Sequence, residues 1–311
     1  MKKILLVANG FLGDNLFISS AAEKLLAENI CEQVDMVTGF PQVGELLINN
    51  PYVTQVFSTP EPTQNVSSAI QVFDLSEYDK VIHYPPFSFD IPPAAQAQLI
   101  AGVTNTSPSF TVYTSEITDA KMNAFVTEIR NKTDKKIIAW MSNWKQKAFR
   151  FTEQEYFFGQ NDPQGLTGYG RENRNIEKII EELSKEYYMI PVGVPQQFSQ
   201  FDTVNGLEGF RTFSEEASLL KYCDYFIGTE GGLANLAAGV GCKTILTHEF
   251  VWQCYGPRGT VRPLKDGPQL GPVYYFPEGH MYLPLYKTDE EIITLIKGIL
   301  YENGTSTVTR K

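Results

Sequence analysis

Short apolar strands alternate with amphipathic helices along this chain, and the series runs twice. The first pass reads strand (KKILLVA), loop (NGFLGD), helix (NLFISSAAEKLLAEN), strand (QVDMVTG), helix (PQVGELLINN) and strand (VTQVFST). A polar, irregular stretch at 58–75 follows, then strand KVIHY, helix PPAAQAQLIAG, a last strand SFTVYT and a polar helix SEITDAKMNAFVTEIRNK. Such alternation specifies βαβ units and parallel sheets. After the linker-like TDKK the pattern restarts at KKIIAWMS and continues through NIEKIIEELSKEY, YYMIPVG, EEASLLKYC, DYFIGT, LANLAAGV and CKTILTHE. The expected architecture is therefore α/β, with two Rossmann-like, doubly wound parallel-sheet domains at 1–132 and 133–287. A helix at 288–303, N-capped by Thr288 with an acidic first turn, and a polar tail at 304–311 complete the chain.

A length of 311 residues with 42% apolar content supplies a core for each of two domains. The formal charge of -10 argues against binding of nucleic acid or an anionic membrane through bulk electrostatics, which requires a basic face. A small anion captured by local donors fits. Cys31, Cys223, Cys242 and Cys254 lie far apart with no C-x-x-C pair, as in buried thiols of a reducing compartment. The apolar run at the start stops at Asn9-Gly10, too short for a signal sequence, and no stretch approaches the roughly 20 apolar residues of a membrane span. A cytoplasmic location is expected.

Three segments carry candidate chemistry. In NGFLGDNLF, Gly10 and Gly13 let the backbone fold closely between strand and helix, and Asp14 falls at the helix start, where it serves as an N-cap or as a functional carboxylate. The glycine spacing is not that of the dinucleotide fingerprint. In GTEGGLAN, free N–H groups after the glycines and the helix dipole favour a phosphate, unless the turn is only tight; Glu230 beside it suits the hydroxyls of a sugar. In SNWKQKAFRF, Lys145, Lys147 and Arg150 follow a strand end, either as solvated surface charge or as the neutralising partners of a diphosphate. His83, His248 and His280 are isolated, which disfavours a protein-built metal site. Neither a G-x-S-x-G elbow nor a Walker loop occurs. The long loops at 159–175 and 252–280 and the aromatic YPPFSF at 84–89 are further candidate site walls.

Taken together, GFLGDNLFISSAAEKL, GLEGFRTFSEEASLLKYCDYFIG, EGGLANLAAGVGCKT and YGPRG resemble the motifs of glycosyltransferase family 9, the heptosyltransferase type. The resemblance spans most of the chain. It implies the GT-B architecture, with two domains facing across a cleft and the C-terminal helix packing back toward the first. It also implies an inverting, metal-independent transfer of a sugar from a nucleotide-diphosphate sugar to a hydroxyl of a glycan or glycoconjugate, lipopolysaccharide-like or other. Asp14 becomes the candidate general base, with Asn9, Gly10 and Gly13 in the acceptor-side loop. Thr229, Glu230, Gly231, Gly232, Leu233 and Asn235 form the donor turn, joined by Gly193 and by Lys145, Lys147 or Arg150 at the leaving diphosphate. Glu230, Gly231 and Asn235 stand where the family carries Asp, Thr and His, so the donor need not be ADP-heptose. No cofactor, no metal and no nucleic-acid partner is expected, and transient membrane association is compatible with the reading. The alternatives are a nucleotide-sugar epimerase of the UDP-N-acetylglucosamine 2-epimerase type and a non-catalytic nucleotide-sugar or glycan binder.

Overall fold

The computed structural model describes residues 2–63, 65–70, 74–84, 93–141, 176–193, 211–228, 231–246, 281–282 and 288–302. Two separate parallel sheets organise them. The first is built from β1 (Lys3–Ala8), β2 (Gln33–Thr38), β3 (Gln55–Ser58) and β4 (Lys80–Tyr84) in the order β3-β2-β1-β4. The second contains β5 (Ile137–Met141), β6 (Tyr188–Val192), β7 (Tyr225–Gly228), β8 (Lys243–Leu246) and β9 (Met281–Tyr282) in the order β6-β5-β7-β8-β9. Strands buried on both faces need no alternation. β1 after Lys3 and β5 accordingly read as unbroken apolar runs, ILLVA and IIAWM, and are buried throughout. In each sheet the order reverses beside a central strand, between β1 and β4 and between β5 and β7, and ligands of such sheets bind at the carboxyl ends next to that reversal.

Around the first sheet lie α1 (Leu12–Ala27), α2 (Pro41–Leu47), α3 (Val66–Ala69) and α4 (Pro93–Ala101). Helix α3 falls inside the stretch that reads as irregular in the sequence; Asn65 caps it by accepting the Ser68 N–H. The segment expected as a strand, SFTVYT, is not one. It runs onto the second unit, where the Val112 N–H donates to the Gly239 carbonyl at 2.8 Å and Phe110 and Val112 fill the space beside Gly239. Helix α5 (Glu116–Arg130) follows, with Met122, Val126 and Ile129 on one buried face.

The second sheet is flanked by α6 (Ile176–Ser184), α7 (Phe213–Tyr222), α8 (Gly232–Gly239) and α9 (Asp289–Glu302). Although α5 precedes the second sheet in sequence, its main helix partner is α7, through the pairs Lys121–Glu215 and Lys221–Asp119 (2.6 Å for the latter). Thr288 caps α9 as expected, its Oγ1 accepting the Glu291 N–H while Glu291 accepts the Thr288 N–H. The described part of α9 departs from the expected return to the first domain. Ile292, Ile293, Ile296 and Leu300 join Ile138, Trp140, Ile179 and Ile227 in the second sheet's own core, the apolar i, i+4, i+8 stripe of the helix packing on that sheet. Cys31, Cys223 and Cys242 are buried free thiols, and burial pushes their pKa values up.

Candidate active site

The carboxyl end of β1 passes through Asn9 and Gly10 into α1. Gly10 has φ +93°, a conformation that side-chain-bearing residues rarely adopt, and a Cβ there would lie 2.2 Å from Asp14 Oδ2. The helix is capped at Phe11, which corrects the expectation that Asp14 is the N-cap. Asp14 is the third helical residue, and its Oδ2 accepts the Phe11 N–H at 2.8 Å, the acidic half of a capping box. The helix end and two N–H bonds, from Phe11 and from Asp14 itself, favour the carboxylate. Burial wins, and the Asp14 pKa is pushed up to about 6. Burial thus overrides the helix terminus, which on its own would hold the carboxylate ionised and weakly basic. Tyr84, fully buried nearby and donating to the Pro93 carbonyl at 3.2 Å, has its pKa raised by burial and further by the Asp14 charge.

Asn9, assigned to the acceptor-side loop, has its side chain committed within the first unit. Its Nδ2 donates to Ser67 Oγ at 2.7 Å and to the Tyr84 carbonyl at 3.1 Å, and its Oδ1 accepts the Ser67 N–H at 2.9 Å. Ser67 Oγ is in turn 2.8 Å from His83 Nδ1. Asn9 thus ties β1, α3 and β4 together beneath the loop.

In the second unit, Gly231 caps α8 with φ +150°, and a Cβ added there would meet nothing within 4 Å among the described residues. Gly231 is the residue of this turn with positive φ. At Gly232 the constraint is space, since a Cβ would come 3.1 Å from the Leu12 side chain. Leu233 and Asn235 are buried in the helix's packing face, and Asn235 Nδ2 stands 2.6 Å from where a Cβ on Gly13 would be. Leu12 against Gly232 and Gly13 against Asn235 bring the two glycine turns into contact. Among the described residues, the buried Oδ1 atoms of Asn235 and Asn15 have no hydrogen-bond partner.

Gly193 follows β6 at φ +94° and its N–H donates to Glu216 Oε1 at 3.1 Å. The same oxygen takes Arg211 Nε at 3.0 Å, in an ion pair whose side chains are 11% and 4% exposed, while Glu216 Oε2 is buried without a partner. Burial raises the Glu216 pKa and the Arg211 charge opposes it. Sequence reasoning missed this pair, because nothing in FRTFSEEAS separates a buried glutamate from its capping neighbour Glu215. Lys145, Lys147, Arg150, Thr229 and Glu230 lie outside the described residues, as do the loops at 159–175 and 252–280. Among the described residues, no three His, Cys, Asp or Glu side chains gather as a metal site, and no helix is long and apolar enough to cross a membrane.

No protein-family model matches the chain, and no curated protein matches it. Solved structures do. A glycosyl transferase family 9 protein from Veillonella parvula superposes with a TM-score of 0.62 at 11% identity, over 97% of each chain. The ADP-heptose lipopolysaccharide heptosyltransferase II of E. coli gives 0.56 at 12% identity, over 98% of this chain and all of that one. The fold is that of the GT-B heptosyltransferases. The iron-containing, dodecameric heptosyltransferase TibC, solved with ADP-D-beta-D-heptose, shares this GT-B fold at a TM-score of 0.53 and 13% identity, over 97% of this chain and 76% of that one. In the GT-B frame described here, the α1 turn and the α8 turn face each other at the carboxyl ends of the two sheets.

Proposed function

We propose that this chain is a glycosyltransferase that moves a sugar from a nucleotide-diphosphate sugar to a hydroxyl of a glycan or glycoconjugate, with inversion and without a divalent metal. The observation that carries the reading is Asp14, a partly buried carboxylate whose pKa burial pushes up to about 6, one residue from the contact between the two glycine turns. A general base works best when its pKa lies near the working pH.

In this reading Asp14 takes the proton of the acceptor hydroxyl as the hydroxyl oxygen bonds to the anomeric carbon. The bond from that carbon to the diphosphate oxygen breaks on the opposite face, so a single displacement inverts the centre. The departing diphosphate carries the electron pair. The Gly231 turn supports it with the backbone N–H groups and the positive end of the α8 N-terminus. Lys145, Lys147 or Arg150 supplies further charge in the proposal, in the role a metal ion plays elsewhere. TibC is iron-containing, and EDTA distinguishes that case from the metal-independent one proposed here.

The test is a thermal-shift screen with ADP, UDP and GDP, followed by a nucleotide-sugar panel with and without EDTA. Ligand at 100 times its dissociation constant should add about 2.7 kcal/mol of stability. Transfer or slow hydrolysis that survives EDTA supports the proposal. Sugar isomerisation would assign an epimerase, binding without turnover a non-catalytic binder, and activity restored only by added metal would overturn metal independence.

A further inference from the structure

A pocket of about 190 Å³ opens on the first unit, away from the glycine turns. Its walls come from the middle of α1, the turn after α2, Gln98 of α4 and the 107–113 segment. The inner wall is fixed by buried amides. Gln98 Nε2 donates to Ser20 Oγ at 3.1 Å and its Oε1 accepts the Ser107 N–H at 2.7 Å; Asn50 Oδ1 accepts the Tyr52 N–H at 3.0 Å. The rim carries Tyr52 and Tyr113, edge to face with centroids 6.0 Å apart, and the Glu23 carboxylate. Burial, then the Glu23 charge, pushes the Tyr113 phenol up to about 12, so it keeps its proton.

The lining chemistry discriminates among ligands. Hydroxyls that both donate and accept, two fixed amides, one carboxylate and an aromatic pair match a ring bearing hydroxyls on its edge and C–H groups on its face. Glu23 and Lys24 balance each other in charge, so a diphosphate finds no net cation here. The volume is below the roughly 300 Å³ at which pockets take drug-sized molecules. We propose that this pocket is a second carbohydrate subsite, binding one neutral pyranose unit of a glycan.

Its place gives it a use. Ser19 to Lys24 lie five to ten residues past Asp14 on α1, about 7.5–15 Å along the axis. On the glycosyltransferase reading, the bound ring is a sugar of the acceptor beyond the one that carries the reacting hydroxyl.

Saturation-transfer NMR with the methyl glycosides of glucose, galactose, mannose and N-acetylglucosamine tests it, on the wild type and on Glu23→Gln and Tyr113→Ala. At least one glycoside should bind at millimolar concentration, about tenfold more weakly to Glu23→Gln, from loss of a charged acceptor, and not detectably to Tyr113→Ala. Should Tyr113→Ala fail to fold, the exposed Glu23→Gln still decides. No binding by any glycoside, or undiminished binding to Glu23→Gln, overturns the subsite. Titration of the same proteins with ADP, UDP and GDP separates the two ideas: their binding should be equal in all three proteins, and its absence would remove the transferase reading without touching the glycoside result.

Discussion

The two glycine turns that meet between the units are crowded in one case and open in the other. At Gly10 the space a side chain would take is already filled by the Asp14 carboxylate, whereas at Gly231 there is nothing within 4 Å among the described residues. Both residues have positive φ, so both are glycines for conformational reasons, yet only the first is also one for room. The crowded turn presents a side chain. The open turn presents backbone N–H groups. A carboxylate partly shielded from water can act as a base, and a helix start can hold an anion, so the proposed transfer would divide its two halves between the two units.

The largest expected effect comes from removing the charge of the crowded turn. In Asp14→Asn the amide oxygen still accepts the Phe11 N–H, so the melting temperature should not fall, while turnover drops by roughly 10²- to 10⁴-fold. A fully active variant would reduce Asp14 to a capping residue and erase the contrast. Next come Gly10→Ala and Gly231→Ala, each carrying backbone strain of about 1–3 kcal/mol. Gly10→Ala also displaces the Asp14 carboxylate and should lower turnover while leaving nucleotide affinity intact. Gly231→Ala should weaken nucleoside diphosphate binding in calorimetry. Equal losses in both properties for both variants would show that the turns are not specialised.

A smaller effect tests the contact itself. Gly13→Ala drives a methyl against Asn235 Nδ2 and should cost about 1–3 kcal/mol and part of the activity. Asn235→Ala removes the obstruction and with it an amide oxygen that has no partner. The double variant should regain most of what Gly13→Ala loses, and a double-mutant cycle with no coupling would mean that the turns do not touch in solution.

The sheets and the strand-end turns were legible in the sequence because their signals are local: ILLVA and IIAWM are continuous apolar runs, and glycines punctuate the strand exits. What was misread depends on tertiary partners. SFTVYT has the composition of a strand, but the second unit takes its Val112 N–H at Gly239. The isoleucine stripe of α9 announces an apolar face without saying which sheet will cover it. Asp14 shows the same limit: its place at a helix start is visible, but its rank as third residue and the burial that overrides the helix end are properties of the folded loop. The Arg211–Glu216 pair is invisible for the same reason, since its burial is conferred by β6 and α7 together.

The remaining expected effect is a stability difference that depends on pH, and it comes from the same carboxylate. Asp14 has an ordinary pKa of 3.8 when unfolded and one of about 6 in the fold, so between these values the folded state binds more protons than the unfolded. Stability from this group is therefore fully present below pH 3.8 and is lost as pH rises through 6. With solvent reaching part of the side chain, the loss is on the order of 2 kcal/mol. Asp14→Asn cannot titrate, so its stability relative to wild type should grow across that window and level off near pH 7, as denaturant titrations at a series of pH values would record. Over the same window the ionised fraction of Asp14 rises, and kcat/KM should climb with it. The wild type then gains activity as it loses stability, both through one proton. If the difference between the two proteins is flat with pH, burial does not lift this carboxylate, and the crowded turn loses the property that sets it apart from the open one.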